Sequence, residues 1–277
     1  MSTSVPVSIH SIHIHPLKAA GGHAAREAVV EPWGLAGDRR WVLIDSAGRA
    51  VTQRPHPRLA LAAVEPLADG GIRVSAPGRE PLTVGVPEPG ETVPVEFLRD
   101  KSEAVPADPA ADAWFSAFLD LDVRLGHLEA PETRRPINAA YGRPGETVSF
   151  ADAFPLLLTT LSSLDALNSL IAQGDHADEG PLPMNRFRPN VVVEGVAPWA
   201  EDDWSRLAVG DVEFRVARKC ARCVVTTTDQ RTAERGKEPL RTLAHHRRSG
   251  DQLLFGLNLI PESTGTIRIG DPLTILE

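Results

Sequence analysis

Only two cysteines stand in the whole chain, and they share one short motif, Cys220-Ala221-Arg222-Cys223. A secreted domain stapled by disulfides carries more cysteines than this, so the pair points to chemistry more than to stapling. Arg218, Lys219 and Arg222 crowd the same stretch, and nearby cations favour the thiolate form of a cysteine. A thiolate is a soft ligand suited to transition metals. Thr226, Thr227 and Thr228 add hydroxyls just beyond. Three other readings stay open on local sequence. A structural zinc site needs four ligands, but there is no second Cys pair, and the adjacent His245 and His246 are poorly placed to share one ion. A thioredoxin-like dithiol opens a helix, whereas strand-like sequence flanks this pair. Two inert, buried cysteines are the plain alternative.

Three further groups could hold a ligand. In Asn185-Arg186-Phe187-Arg188-Pro189-Asn190, an extended backbone would set Arg186 and Arg188 on one face, and paired guanidinium groups grip phosphate well. Thr160-Leu161-Ser162-Ser163 precedes a helical pattern, and free N–H groups at a helix N-terminus attract anions. Lys18 follows Pro16-Leu17, and Arg39 follows Gly37-Asp38, both where loops present side chains to a cleft. Each group taken singly reads equally as a surface ion pair or a helix cap. Together they suit an anionic, phosphate-bearing ligand with a soft-ligand metal.

The elements that must position these residues read mainly as strands. Val5–Ile14 alternates apolar residues with Ser and His, and Trp41–Ile44 and Arg49–Gln53 flank the turn Asp45-Ser46-Ala47-Gly48. Leu59–Val64, Ile72–Ser75, Leu82–Val86 and Val93–Phe97 follow at spacings of about ten residues, the pattern of a barrel or sandwich. Asp108 caps a helix with Pro109 in its first turn and Trp114, Phe115, Phe118 and Leu119 along one stripe. The stretch Glu129–Val148 is rich in Pro, Arg and Gly. It reads as the connection between an N-terminal domain, residues 1–128, and a second domain, residues 129–277. Phe154–Leu158 reads as a buried strand. Ser162 and Asp165 form a capping-box pattern before the shared face of Leu164, Leu167, Leu170 and Ile171. Gly174–Pro183 reads as a loop and Val191–Glu194 as a strand. Arg206–Ala217 turns at Gly210-Asp211, Val224–Thr228 reads as a strand, and Gly265–Glu277 turns at Gly270-Asp271. The fold class is mainly β with a few helices (α+β).

Composition excludes some functions. Lys and Arg number 29 against 37 Asp and Glu, a net charge of −8, where a nucleic-acid binder shows a basic excess or stripe. The short cluster His245-His246-Arg247-Arg248 reads as a solvated turn. No apolar run approaches the roughly 20 residues that cross a bilayer, and Met1–His10 lacks the features of a signal peptide, so the expected location is cytoplasmic. No Gly-x-Gly-x-x-Gly follows a strand to hold a flavin or nicotinamide.

These segments together resemble the MOSC family, in the two-part branch that includes the mitochondrial amidoxime-reducing components. The N-terminal half is similar through Ile14-His15-Pro16-Leu17-Lys18, Gly37-Asp38-Arg39-Arg40-Trp41 and Val51-Thr52-Gln53-Arg54. The second half is similar through Arg186–Asn190, Cys220–Cys223 with Thr226-Thr227-Thr228-Asp229, Lys237-Glu238-Pro239-Leu240, Phe255-Gly256 and Gly265–Asp271. The resemblance implies an N-terminal β-barrel domain followed by a MOSC β-barrel. It implies a molybdenum cofactor (Mo-molybdopterin) with Cys223 as metal ligand and Cys220 beside it. It places Lys18, Arg39, Arg188 and Asn190 around the cofactor's phosphate and pterin, with Thr160, Leu161, Ser162, Ser163, Arg222 and Asn258 as further contacts. Ala19 stands where relatives carry serine, and Asn258 where the mitochondrial relative carries an aromatic, which bears on substrate preference. The implied activity is reduction of hydroxylamines, amidoximes or N-hydroxylated bases, with Asp229 as a candidate proton donor. A [2Fe–2S] centre needs four ligands, so electrons come from a separate donor: a ferredoxin, a flavodoxin, or a cytochrome b5-like protein with its reductase. The alternative is a non-catalytic carrier of cofactor or sulfur that uses Cys223.

Overall fold

A computed structural model describes residues 6–97 and 100–277; Val5, at the head of the first expected strand, lies outside them. Strands hold 38% of the chain and helices 19%, which makes the fold mainly β. The largest sheet runs, edge to edge, through Leu273–Ile275, Arg206–Val209, Val212–Ala221, Gln252–Pro261, Leu156–Thr160, Val191–Glu194, Ser8–Ile14 and His23–Ala25. Its period-two alternation drives Ile9, Ile12, Leu158, Val193, Phe214, Leu257 and Leu259 into one core, where burial of apolar area stabilises the pairing.

Leu156–Thr160 is buried along its whole length. It runs parallel to Val191–Glu194, with Leu158 opposite Val191 and Thr160 opposite Val193. Parallel neighbours need a crossover, and the helix Leu161–Ile171 supplies it. Leu164, Leu167 and Ile171 pack there on Phe187, Leu243 and Phe255. A strand covered on both faces reads as a continuous apolar run, which is why Leu156-Leu157-Leu158 does not alternate.

Chain order and spatial order diverge at the start. Ser8–Ile14 pairs antiparallel with Val191–Glu194, Ile9 facing Val193 and Ile12 facing Val191. Glu27–Glu31 pairs with Gly265–Arg268 near the other end of the sequence. The remainder of the N-terminal half builds a sheet of Trp41–Asp45, Val123–His127, Lys101–Pro106 and Val93–Glu96, and a meander of Ala63–Pro66, Ile72–Ala76 and Arg79–Val84. Helix Pro109–Leu119 closes that core with Phe115 and Phe118 against Leu43, Leu59, Val74 and Leu125. Asp108 caps it by accepting the Ala110 N–H at 2.7 Å, as the sequence predicts.

Several expected elements change. Pro57 begins a 3-10 turn, Pro57–Leu61, ahead of the strand Ala63–Pro66, because proline presets a turn and brings no ladder N–H. Arg49–Gln53 pairs only at Arg49 and Ala50, since Pro55 and Pro57 halt the ladder. Val224–Thr227 is a 3-10 turn, not a strand. There the Thr226 and Thr227 hydroxyls donate to the Cys223 and Val224 carbonyls at 2.9 Å, a local bond that competes with pairing. Thr160, not Ser162, caps the crossover helix, its Oγ1 accepting the Ser163 N–H. Among the described residues, no helix is long and apolar enough to cross a membrane.

His127 stacks near Trp41, ring centroids 4.6 Å apart. Burial, then Arg40, pushes its pKa down from 6.5 to about 4. The unfolded chain therefore binds a proton between those values while the fold does not. Stability is full above about pH 6.5 and falls as pH drops toward 4, by about 3 kcal/mol at most. Urea unfolding of wild type should show that slope, and His127→Gln should flatten it.

Candidate functional site

The N-terminal half sets two cations side by side. The Lys18 N–H donates to the Trp41 carbonyl at 2.8 Å, and the Arg39 N–H to the His15 carbonyl at 2.7 Å, so His15–Lys18 and Arg39–Trp41 run together. Asp38, fully buried, fixes both strips: Oδ1 accepts the His15 N–H at 2.8 Å and Oδ2 accepts Arg39 at 2.6 Å. Burial pushes the Asp38 carboxyl up, and Arg39 acts against that.

A third strip carries an acid. The Phe150 N–H donates to the Arg39 carbonyl at 2.9 Å, and Lys18 Nζ donates to the Phe150 carbonyl at 2.8 Å and to Asp152 Oδ1 at 2.7 Å. Lys18 is 8% accessible at its side chain, while Asp152 projects outward at 85%. Lys18 holds the Asp152 carboxyl well below the usual carboxylate range, with Arg54 and Arg39 assisting. Water reaches Asp152 from the open side and screens part of that attraction. On Lys18 burial dominates and pushes the ammonium down despite Asp152. The sequence signal for Asp152 is a lone acid just ahead of the apolar stretch Phe154–Leu158, and local pattern alone gives it no role.

The second half adds Arg188 and Asn190. Arg186 and Arg188 do not share a face as an extended backbone would require. Met184–Arg186 is a 3-10 turn and Arg188 is left-handed at φ 55°, which sends the two guanidinium groups apart. Arg188 donates to the Ala20 carbonyl, and its Nη2 is buried without a partner among the described residues. Burial first and Arg39 second push its pKa down to about 9. It remains charged at neutral pH, and a bound anion would relieve the cost. Asn190 is 1% accessible. Its Oδ1 accepts Arg39 at 2.9 Å and the Leu157 N–H at 3.1 Å, and its Nδ2 donates to the His13 carbonyl at 3.2 Å. Asn190 therefore acts on the site through Arg39. A cavity of about 350 Å3 abuts Arg188 and is lined also by His13, His15, Gly22 and Gln230.

Cys223 joins this cluster through Arg54, whose Nη2 lies 3.6 Å from the sulfur. The resemblance quoted Arg54 without giving it a role. Arg222 turns the other way, donating to the Phe187 carbonyl at 3.0 Å and approaching the Cys220 sulfur at 3.2 Å.

Other expected residues lie elsewhere. Thr160 and Ser163 are fully buried, and their hydroxyls donate to Glu201 at 3.3 and 2.9 Å. Those two hydroxyls are thus taken up by the Glu201 carboxyl, whose pKa burial pushes up, and Leu161 and Ser162 make no bond to the cation cluster among the described residues. Asn258 sits mid-strand opposite Leu157 and Arg218, with no side-chain bond to the cluster among the described residues. Asp229, the candidate proton donor, is engaged by groups of the chain itself. Asp229 accepts Arg186 at 3.0 Å and the Arg231 and Thr232 N–H groups at 2.8 and 3.1 Å. Burial pushes its pKa up, but those bonds outweigh it and hold the carboxyl below its usual range, so it stays ionised and serves the turn.

Comparison with known proteins adds a family to this geometry. Residues 7–122 match the MOSC N-terminal beta barrel domain, and residues 145–274 match the MOSC domain. The chain belongs to the MOSC family. It is 32% identical to mitochondrial amidoxime-reducing component 1 of Mus musculus over 97% of this chain and 82% of that protein. The Homo sapiens protein of the same name is also 32% identical, over 97% of this chain and 83% of that protein. Molybdenum cofactor sulfurase of Danio rerio is 30% identical over 92% of this chain, which spans 32% of that protein.

The site of this MOSC chain fits an anionic cofactor with a soft-ligand metal. Lys18, Arg39, Arg54 and Arg188 face two carboxylates, Asp38 and Asp152, which leaves positive charge in excess. Arg188 holds a buried N–H with no acceptor among the described residues, an arrangement costly unless something else accepts it. Cys223 supplies the soft donor beside these cations. Among the described residues no group of three or more His, Cys, Asp or Glu could hold a metal without an outside ligand.

Proposed function

We propose that this chain is a molybdenum-cofactor-dependent oxidoreductase that reduces N-hydroxylated compounds, hydroxylamines, amidoximes or N-hydroxylated bases, with electrons from a separate protein donor. The observation that carries the reading is the Cys223 sulfur set at the edge of a cluster, Lys18, Arg39, Arg54 and Arg188, that Asp38 and Asp152 neutralise only in part. The similarity to amidoxime-reducing components over nearly the whole chain supports the substrate class.

When bound, the cofactor would supply the two-electron chemistry; the protein supplies binding and charge. Lys18, Arg39 and Arg188 would hold its anionic part, with Asp38 and Asn190 locking Arg39 in place. Cys223 would ligate the metal. Residues 1–128 would thus contribute Lys18 and Arg39, and residues 129–277 Arg188 and the sulfur. Asp152 stands where a bound anion would meet Lys18, so it would have to share or cede that ammonium.

The donor would be a ferredoxin, a flavodoxin or a cytochrome b5-like protein with its reductase. The chain has two cysteines, too few for an all-cysteine iron–sulfur centre of its own. The test is purification from a host that makes the pterin cofactor, followed by elemental analysis and a hydroxylamine-reduction assay. The expected outcome is about one molybdenum per chain, the capacity of a single-thiolate site. Turnover is expected with an added donor system and not with NADH alone. Molybdenum-free protein from that host would defeat the reading and shift weight to a sulfur carrier, the role suggested by similarity to the sulfurase.

A further inference from the structure

Arg54 comes from the N-terminal half, yet its guanidinium meets the Cys223 sulfur of the second half at 3.6 Å. The loop that carries it is pinned on several sides. The Gln53 side chain donates to the Ala19 carbonyl at 2.7 Å and pairs with the Gln230 amide at 3.1 Å. The Arg235 guanidinium donates to the carbonyls of both Gln53 and Arg54. Arg235 in turn bridges to Thr228, in the turn that follows Cys223. The loop bearing the cation and the loop bearing the sulfur are thereby tied into one unit.

The Arg54 side chain makes no other hydrogen bond among the described residues, and the residue is exposed. A guanidinium carries five N–H donors in a planar fork, so most of its capacity is unspent. We propose that Arg54 is a further ligand-recognition residue of the site, a fixed cation placed against the Cys223 sulfur to receive an anionic group there, and that Arg235 is the positioning residue that keeps it in place. The functional meaning rests on the reading of Cys223 as metal ligand; the charge at the sulfur does not. It gives the N-terminal half a direct part at the sulfur.

The test uses the full chain without cofactor, in a Cys220→Ser background that leaves Cys223 as the one thiol. Rates of Cys223 alkylation by iodoacetate and by iodoacetamide are measured at one pH. Both reagents consume the same thiolate, which displaces iodide, so the ratio of rates cancels the thiolate fraction and reads local charge. Arg54→Ala is expected to lower the iodoacetate-to-iodoacetamide ratio about fivefold at low salt, as a lost unit charge near a half-buried, solvent-reached sulfur should. Arg54→Lys should stay near wild type. Arg235→Ala should lower the ratio in the same direction, and adding it to Arg54→Ala should lower it no further, the signature of a residue that acts through another. The wild-type ratio should also fall as salt is added. A ratio unmoved by Arg54→Ala overturns the proposal. If that variant does not fold, a wild-type ratio indifferent to salt overturns it equally. A chain that binds no molybdenum but whose ratio follows Arg54 supports this contact and defeats the cofactor reading, so the two fail separately.

Discussion

Cys223→Ala protein, made in a host that supplies the pterin cofactor, is expected to carry less than about a tenth of the molybdenum of wild type. Loss of an outer-sphere partner alone weakens metal binding about 10- to 100-fold, and this change removes the thiolate itself. Lys18, Arg39 and Arg188 remain, so apo-cofactor without metal could still be held, and measuring pterin beside molybdenum separates the two losses. Cys220→Ala is the control. Its sulfur contacts Arg222, not Arg54, and the expected molybdenum content is near wild type. Full metal content in the Cys223 variant, or equal loss in both variants, would sink the assignment of Cys223 as ligand.

The largest expected effect on stability lies at Asp38. The residue is fully buried and accepts the His15 N–H at 2.8 Å and Arg39 at 2.6 Å. Asp38→Ala leaves Arg39, only 12% accessible, as an unpaired charge beside Arg188. Breaking one side of a buried ion pair costs about 3–5 kcal/mol, and the orphaned His15 amide adds to it. Asp38→Asn keeps the shape and an acceptor oxygen and should cost less than half as much. Urea midpoints at neutral pH measure both. Equal midpoints for the two variants would show that the lost charge carries the whole cost and that the shape and acceptor oxygen kept by Asn contribute nothing.

Much of this architecture was readable before any coordinates. The helix at Pro109–Leu119 was legible because a cap, a proline and an apolar stripe agree with one another. The grouping of Lys18, Arg39 and Arg188 followed from a resemblance spread over the chain, not from local pattern. What escaped was tertiary. Gln252–Pro261 is a run in which burial on both faces erases alternation, so periodicity had nothing to register. Val224–Thr228 has a strand's β-branched composition, yet its threonine hydroxyls bond their own backbone. Asp152 and Arg54 carry no local signature; their roles arise from which loops meet. The Thr160–Ser163 turn has the sequence of an anion site, and its bond to Glu201, a partner 38 residues away in the chain, has no local signature.

The weaving of the first strands into the last has a consequence for how the chain is made. Ser8–Ile14 and Glu27–Glu31 have local partners in His23–Ala25 and Gly34–Leu35, but each finds its second partner only when Val191–Glu194 and Gly265–Arg268, respectively, exist. At roughly 5–20 residues per second of synthesis, the earliest strand, paired with His23–Ala25 along one edge, waits about ten to forty seconds with its other backbone edge unpaired. During that interval Ile9, Ile12 and Ile14 lack most of the core that covers them, and the exposure ends only as the partner strands emerge. A ribosome that stalls or a message cut short near its end therefore releases a nearly full-length product with open, apolar strand edges, the kind of chain that aggregates or is degraded.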